Sequence, residues 1–158
     1  MDREQMLRVI GEGYAARVRG DVEGVLGVFT SDAKFSLNAA PQKAPVSLST
    51  EGTSSLRQAM TQLVQTFEFQ KLDIIDAVVE GSKAAIRIRI TVRSKQTDHI
   101  VETESLDLVE FRDGKVSSYT QFFDTAIAEK LMTPAPMSGG QAAAPGASGG
   151  GSMSGLSA

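Results

Sequence analysis

Cysteine and tryptophan are absent from this 158-residue chain, and histidine occurs once. Without cysteine there is no disulfide, no thiolate nucleophile and no Cys-based metal site. A single histidine, His99, makes a zinc site implausible, and no metal or cofactor is expected. No apolar run approaches the roughly 20 residues that span a bilayer, so no membrane segment is expected. A secretory leader is not expected either, since Met1-Asp2-Arg3-Glu4-Gln5 carries charges of both signs with no apolar stretch behind it. Basic residues are not in excess: the formal net charge is −3, so nothing invites a nucleic acid. These absences together point to a cytoplasmic protein.

What is present is an ordinary globular composition, 41% hydrophobic and 22% charged over the whole chain, with every charged and aromatic residue within the first 132. It ends sharply. From Thr133 the chain reads TPAPMSGGQAAAPGASGGGSMSGLSA, with no charge and no aromatic ring. Such a segment has too little apolar surface to offset its ordering entropy, so residues 133–158 are expected to be a disordered tail behind one domain, residues 1–132.

Within that domain, helical periodicity comes first. Leu7, Ile10, Tyr14 and Val18, with Met6 beside them, predict a helix from about Arg3 to Arg19, stopped by Gly20. Asp21 is placed to cap a second helix whose inward stripe is Val22, Val25, Leu26 and Phe29, ending near Thr30. Gly24 and Gly27 weaken that helix by about 1 kcal/mol each relative to alanine. Close approach of another element and simple tolerance both explain them. After a short strand at Ala33–Asn38 and an irregular stretch with Pro41 and Pro45, a third helix opens at Gly52-Thr53, with Leu56, Met60, Leu63, Val64 and Phe67 on one face.

The texture then changes to strands: Phe69–Val79, Ala85–Ser94, Ile100–Phe111 and Lys115–Phe123. In the second of these, Ile86, Ile88, Ile90 and Val92 alternate with Arg87, Arg89, Thr91 and Arg93. Asp113-Gly114 marks a hairpin, because both residues tolerate positive φ. Asp124 can cap a last short helix through Leu131. Helices followed by a meander of long strands predict an α+β fold.

The strings GYAARVRGDVEGVLGVFTSDAKF, VEFRDGKVSSYTQFFD and TAIAEKL resemble the nuclear transport factor 2-like superfamily, and within it the SnoaL-like proteins. Polyketide cyclases, ketosteroid isomerases and limonene epoxide hydrolases are relatives. The resemblance covers about residues 3–132. It implies a cone-shaped, curved, mostly antiparallel sheet wrapped around three helices, a hydrophobic pocket at the open end, and a homodimer.

The resemblance also nominates residues. Ketosteroid isomerases use a helix-one tyrosine and a protonated aspartic acid as an oxyanion hole, the case the general principle of environment-tuned carboxyls is built on. Tyr14 and Asp107 fall at those positions and are the candidate catalytic pair. The family's base position falls on Asn38, and an amide has no useful basicity. Epoxide hydrolases use an Asp–Arg–Asp set; here Gln121, Arg89 and Thr91 stand in those places, so both carboxylates are missing. Asn38, Arg89 and Gln121 are therefore candidate ligand-binding residues, with Phe29 as an apolar contact. His99 and Asp124 are weaker counterparts of the cyclase acid–base pair, since a turn position and a helix cap explain them equally well. The row Arg87, Arg89 and Arg93 either faces an anionic ligand or pairs across the sheet with Glu102 and Glu104.

Two functions remain open at this point. One is a cofactor-free acid–base enzyme (cyclase, isomerase or hydrolase) acting on a small apolar organic substrate. The other is a non-catalytic ligand-binding or dimerisation module on the same scaffold.

Overall fold

The computed structural model describes residues 1–37 and 48–136. Of the expected tail only residues 133–136 are among them, and Asn38 lies outside the described residues.

The first helix, α1 (Arg3–Arg19), begins with a reciprocal capping box. Gln5 N donates to Asp2 Oδ1 at 2.8 Å, and Asp2 N donates to Gln5 Oε1 at 2.9 Å. It stops at Gly20, whose φ of 69° is the left-handed cap that glycine adopts without steric penalty. The inward face is Met6, Ile10, Tyr14 and Arg17, turned slightly from the expected stripe; Val18 is only half-buried.

The second helix, α2 (Val22–Gly27), is capped by Asp21, which accepts from Gly24 N at 2.9 Å. A Cβ on Gly24 would lie 2.3 Å from Asp21 Oδ2, so the glycine serves its own cap, whereas Gly27 has nothing within 4 Å. This helix is shorter than expected. Phe29 belongs instead to strand β1 (Phe29–Leu37), where it pairs with Val116 in parallel. Sheet pairing with a strand 87 positions away outweighs the local helical spacing that had drawn Phe29 into the helix.

Strand β2 (Leu48–Glu51), which the irregular Pro-containing stretch had hidden, pairs antiparallel with β1. Helix α3 (Thr53–Thr66) buries Leu56, Ala59 and Met60, and Phe67 opens the next strand rather than ending the helix. The four long strands are β3 (Phe67–Glu80), β4 (Lys83–Ser94), β5 (Ile100–Arg112) and β6 (Lys115–Phe123). The β5–β6 turn has positive φ at Asp113 and Gly114, as the sequence demanded. Helix α4 (Thr125–Met132) follows, with Asp124 Oδ1 accepting from Ala126 N and Ile127 N.

The six strands form one curved, unclosed mixed sheet in the order β2-β1-β6-β5-β4-β3. Only β1 and β6 run parallel. Strand alternation divides the sheet into two faces. Ile86, Ile88, Ile90 and Val92 point to the helices, in the same core as Val109, Phe111, Val116 and Tyr119. The arginines of β4 point the other way. Arg87 and Arg89 both hold Glu104, Arg89 Nη2 lying 2.9 Å from Glu104 Oε1. Arg93 pairs with Glu68 at 2.7 Å and also with Asp98. Cross-strand pairing is thus the role of the arginine row, with Glu104 in it and Glu102 opposite Thr91.

Two neighbours on β4 test this division. Ile88 is 0% exposed and should cost about 2–5 kcal/mol when truncated to alanine, through lost burial and the cavity left behind. Arg89→Ala, removing a solvent-screened pair, should cost less than about 1 kcal/mol. Urea unfolding of the two variants measures both; equal losses would mean that the faces are wrongly assigned.

Candidate functional site

Curvature leaves a cavity of about 140 Å³ between the inner face of the sheet and the helices. That is the size class of an engineered apolar cavity known to take benzene. Phe29, Phe35, Val92, Leu63 and Met60 are among the apolar side chains of its wall. Phe35 and Tyr119, direct neighbours in the parallel β1–β6 register, stack at 5.3 Å between ring centroids, and Phe29 meets both edge-on. Contacts of this kind add about 0.5–1.5 kcal/mol each beyond area burial and fix the wall.

The polar part is one cluster. On β6, Tyr119 and Gln121 are two residues apart and therefore share the inner face. On β5, Asp107 stands directly opposite Gln121, and Ile86 of β4 opposes it from the other side. Asp107 is 0% exposed. The Tyr14 hydroxyl donates to Asp107 Oδ2 from α1, and the Tyr119 hydroxyl donates to the same oxygen at 2.5 Å. Gln121 Nε2 donates to Asp107 Oδ1 at 3.0 Å and to the Tyr119 hydroxyl oxygen at 3.2 Å. Tyr14, Tyr119 and Gln121 line the cavity; Asp107 lies behind them.

Burial dominates the electrostatics here. Withdrawal from water pushes the Asp107 carboxyl up to about 6, although the donors from Tyr119, Tyr14 and Gln121 pull the other way. Tyr14 and Tyr119 are both driven well above the usual phenol range, by burial first and by the Asp107 charge second. They act as hydrogen-bond donors and not as bases. The inventory of protons then gives the floor two states. With Asp107 ionised, both tyrosine O–H groups are held inward and the cavity meets acceptor oxygens. With Asp107 protonated, its own O–H can satisfy one tyrosine oxygen, and that tyrosine's proton is free to face a ligand.

The structure brings together Tyr14, Asp107, Gln121 and Phe29 of the sequence-nominated residues. Arg89 is excluded from this site: it lies on the outer face, half-exposed and paired with Glu104, because it alternates with the buried isoleucines. Asp124 both caps α4 and reaches the cavity wall. His99 does not; its Nδ1 sits 3.1 Å from Lys130 O at a turn. Tyr119 and Arg17 are among the lining residues that escaped the sequence reading. Tyr119 was available from strand parity, two positions before Gln121. Arg17 was hidden, because an arginine on an amphipathic helix reads as part of the solvated face.

A curved, unclosed mixed sheet packed against helices is the fold of the nuclear transport factor 2-like class. The chain belongs to the SnoaL-like domain family, whose model matches residues 10–119. No curated protein sequence matches the chain. Among solved structures, an NTF2-like protein from Burkholderia xenovorans is 20% identical, with 84% of this chain and 99% of that one covered and a TM-score of 0.67. An NTF2-like protein from Burkholderia pseudomallei is 17% identical, covers 84% and 99%, and has a TM-score of 0.72. A protein with a ketosteroid isomerase-like fold from Catenulispora acidiphila, solved in complex with trimethylamine, is 12% identical, with 76% and 89% covered and a TM-score of 0.65. At these identities the likeness is one of fold.

The buried carboxyl leaves a signature in stability. The folded state holds the Asp107 proton more tightly than the unfolded chain does, so folding stability should fall as pH rises from about 4 to about 6, by on the order of 3 kcal/mol. Glu23, Asp32 and Glu104, held low by their arginine partners, act in the opposite direction at lower pH. The difference in unfolding free energy between wild type and Asp107→Asn across pH 4–7 isolates the contribution. A pH-independent difference would contradict it.

Proposed function

We propose that the cavity binds a small, mostly apolar carbonyl compound by its oxygen, which accepts from one of the Tyr14 and Tyr119 hydroxyls when Asp107 is protonated, and that the protein performs cofactor-free acid–base chemistry on it, of the isomerase, cyclase or hydrolase kind. The carrying observation is the Tyr14–Asp107–Tyr119–Gln121 cluster at the floor of an otherwise apolar cavity. Donors aimed at a developing oxyanion in a water-poor site are the strongest single contribution such a site makes to catalysis. Tyr14 and Asp107 remain the central pair, joined by Tyr119; Gln121 and Phe29 position the ligand.

Proton abstraction needs a base besides Asp107, which is enclosed. Asp124 is the one carboxylate on the described wall; its Oδ1 accepts both cap bonds, which leaves Oδ2 for a substrate C–H. The competing reading is a non-catalytic binding module. One observation favours it: among the described residues the floor itself carries no basic side chain, and Asp124 stands where β6 ends.

The outer face supports the second partner expected from the resemblance. Val78, Leu106, Leu108 and Phe122 form an exposed apolar patch across β3, β5 and β6, with Ala85 of β4 between them. Arg87, Arg89 and Glu104 beside it supply both signs of charge, as a self-complementary surface requires. We propose that this patch joins two copies as a homodimer. No described helix is long and apolar enough to cross a membrane.

Three measurements test these readings. Affinity for 1-indanone, a neutral ketone, should rise about tenfold as pH falls through 6, since protonation of Asp107 frees a donor. Asp107→Asn should bind it without pH dependence; a pH-dependent variant would rule the two-state floor out. In heavy water the wild type should exchange the α-hydrogens of 1-indanone, read by NMR. Asp124→Asn, which keeps the helix cap, should bind but not exchange; binding without exchange in the wild type establishes the non-catalytic module instead. Sedimentation equilibrium should find a dimer that Leu108→Glu converts to monomer, and a monomeric wild type would refute the association.

A further inference from the structure

Arg17 stands apart from the other arginines. It is 8% exposed and lines the cavity, whereas Arg57, Arg87, Arg89, Arg93 and Arg112 meet their acids at the surface. Among the described residues no carboxylate lies within ion-pair distance of it. Its guanidinium is held by backbone and by an aromatic face. Nη2 donates to Phe67 O at 2.9 Å and to Leu63 O at 3.3 Å, where α3 ends and the helix dipole favours a cation. Cζ sits 3.9 Å from the centroid of the Phe69 ring. Burial draws this guanidinium down only to about 10, so it stays charged at neutral pH.

Two carbonyls and a ring do not complete it. Both hydrogen bonds leave from Nη2, and neither Nε nor Nη1 has a protein partner among the described residues. A buried charge without a counter-charge is costly, and the described wall offers only Asp124, which forms no ion pair with it. Every pair of parallel N–H groups on a guanidinium includes Nη2, which the two carbonyls occupy, so what remains for an anion is the single charge-assisted donors of Nη1 and Nε.

We infer that Arg17 is an anion-recognising residue of this cavity, and that the ligand is a small apolar acid whose carboxylate accepts from the unpartnered Nη1 or Nε donors of the guanidinium. The inference rests on the cavity being a ligand site, as proposed above. Tyr14 and Arg17, three residues apart on one helix face, are neighbours about 5–6 Å apart at Cβ. A bound molecule could therefore place its carboxylate at Arg17 and a second oxygen, a few bonds away, at the tyrosine floor. An aromatic or alicyclic oxo-acid has this form.

Calorimetric titration of the full chain with 4-isopropylbenzoate and its uncharged isostere 4-isopropylbenzamide, at neutral pH, tests the assignment. The acid should bind about tenfold or more tighter than the amide, the scale of a charge-assisted bond. Arg17→Met should abolish the preference, and Arg17→Lys should keep part of it. Equal binding of acid and amide by the wild type, or an undiminished preference in Arg17→Met, overturns the role of Arg17 and leaves the cavity reading standing. Binding of neither probe overturns both. Should Arg17→Met fail to fold for want of its grip on α3, the wild-type pair and Arg17→Lys still decide.

Discussion

One carboxyl governs the interior of this molecule. Asp107 sits at the centre of the sheet, between β4 and β6, with no access to water. A group of that kind survives folding only if every lone pair has a donor or if it keeps its proton. Both conditions shape its surroundings. Tyr14 must come from α1, Tyr119 and Gln121 must come from alternate positions of β6, and the β5–β6 register must bring Gln121 opposite. A slip of one residue would turn Asp107 into solvent and Leu106 or Leu108 into the core. The polar cluster therefore pins the register of the sheet and the rotation of α1 at the same time. It also gives the apolar cavity its polar floor.

The two arginines most relevant to function illustrate how much depends on facing. Arg89 has the sequence context of a ligand-binding residue, by resemblance to a hydrolase set, yet strand parity sends it to the outer face. There a glutamate on the next strand neutralises it. Arg17 has the context of a solvated helix residue, yet the rotation of α1 that Asp107 demands turns it inward. The same guanidinium chemistry is structural in one place and available to a ligand in the other, and the difference is only the environment.

Much of the scaffold was legible. The helices α1 and α3, the hairpin at Asp113-Gly114, the boundaries of β6 and the Asp124 cap follow from local capping, turn chemistry and periodicity, which short segments encode. The pairing of Tyr14 with Asp107 was legible only through the family resemblance, since the residues are far apart in sequence. The end of α2, the start of β1 and the whole of β2 were not legible. There the deciding partners are distant strands, and local spacing favoured the wrong element.

The sequence by itself determined an α+β domain, the alternation that makes one face of β4 apolar, and the ends of most helices, because caps, turns and strand parity act within a few residues. The tertiary structure alone decided which titratable groups share a cavity. It enclosed Asp107 behind two tyrosines, turned Arg17 inward and Arg89 outward, and joined β1 to β6 in parallel. Burial and cross-strand register are properties of the assembled sheet, and no single segment carries them.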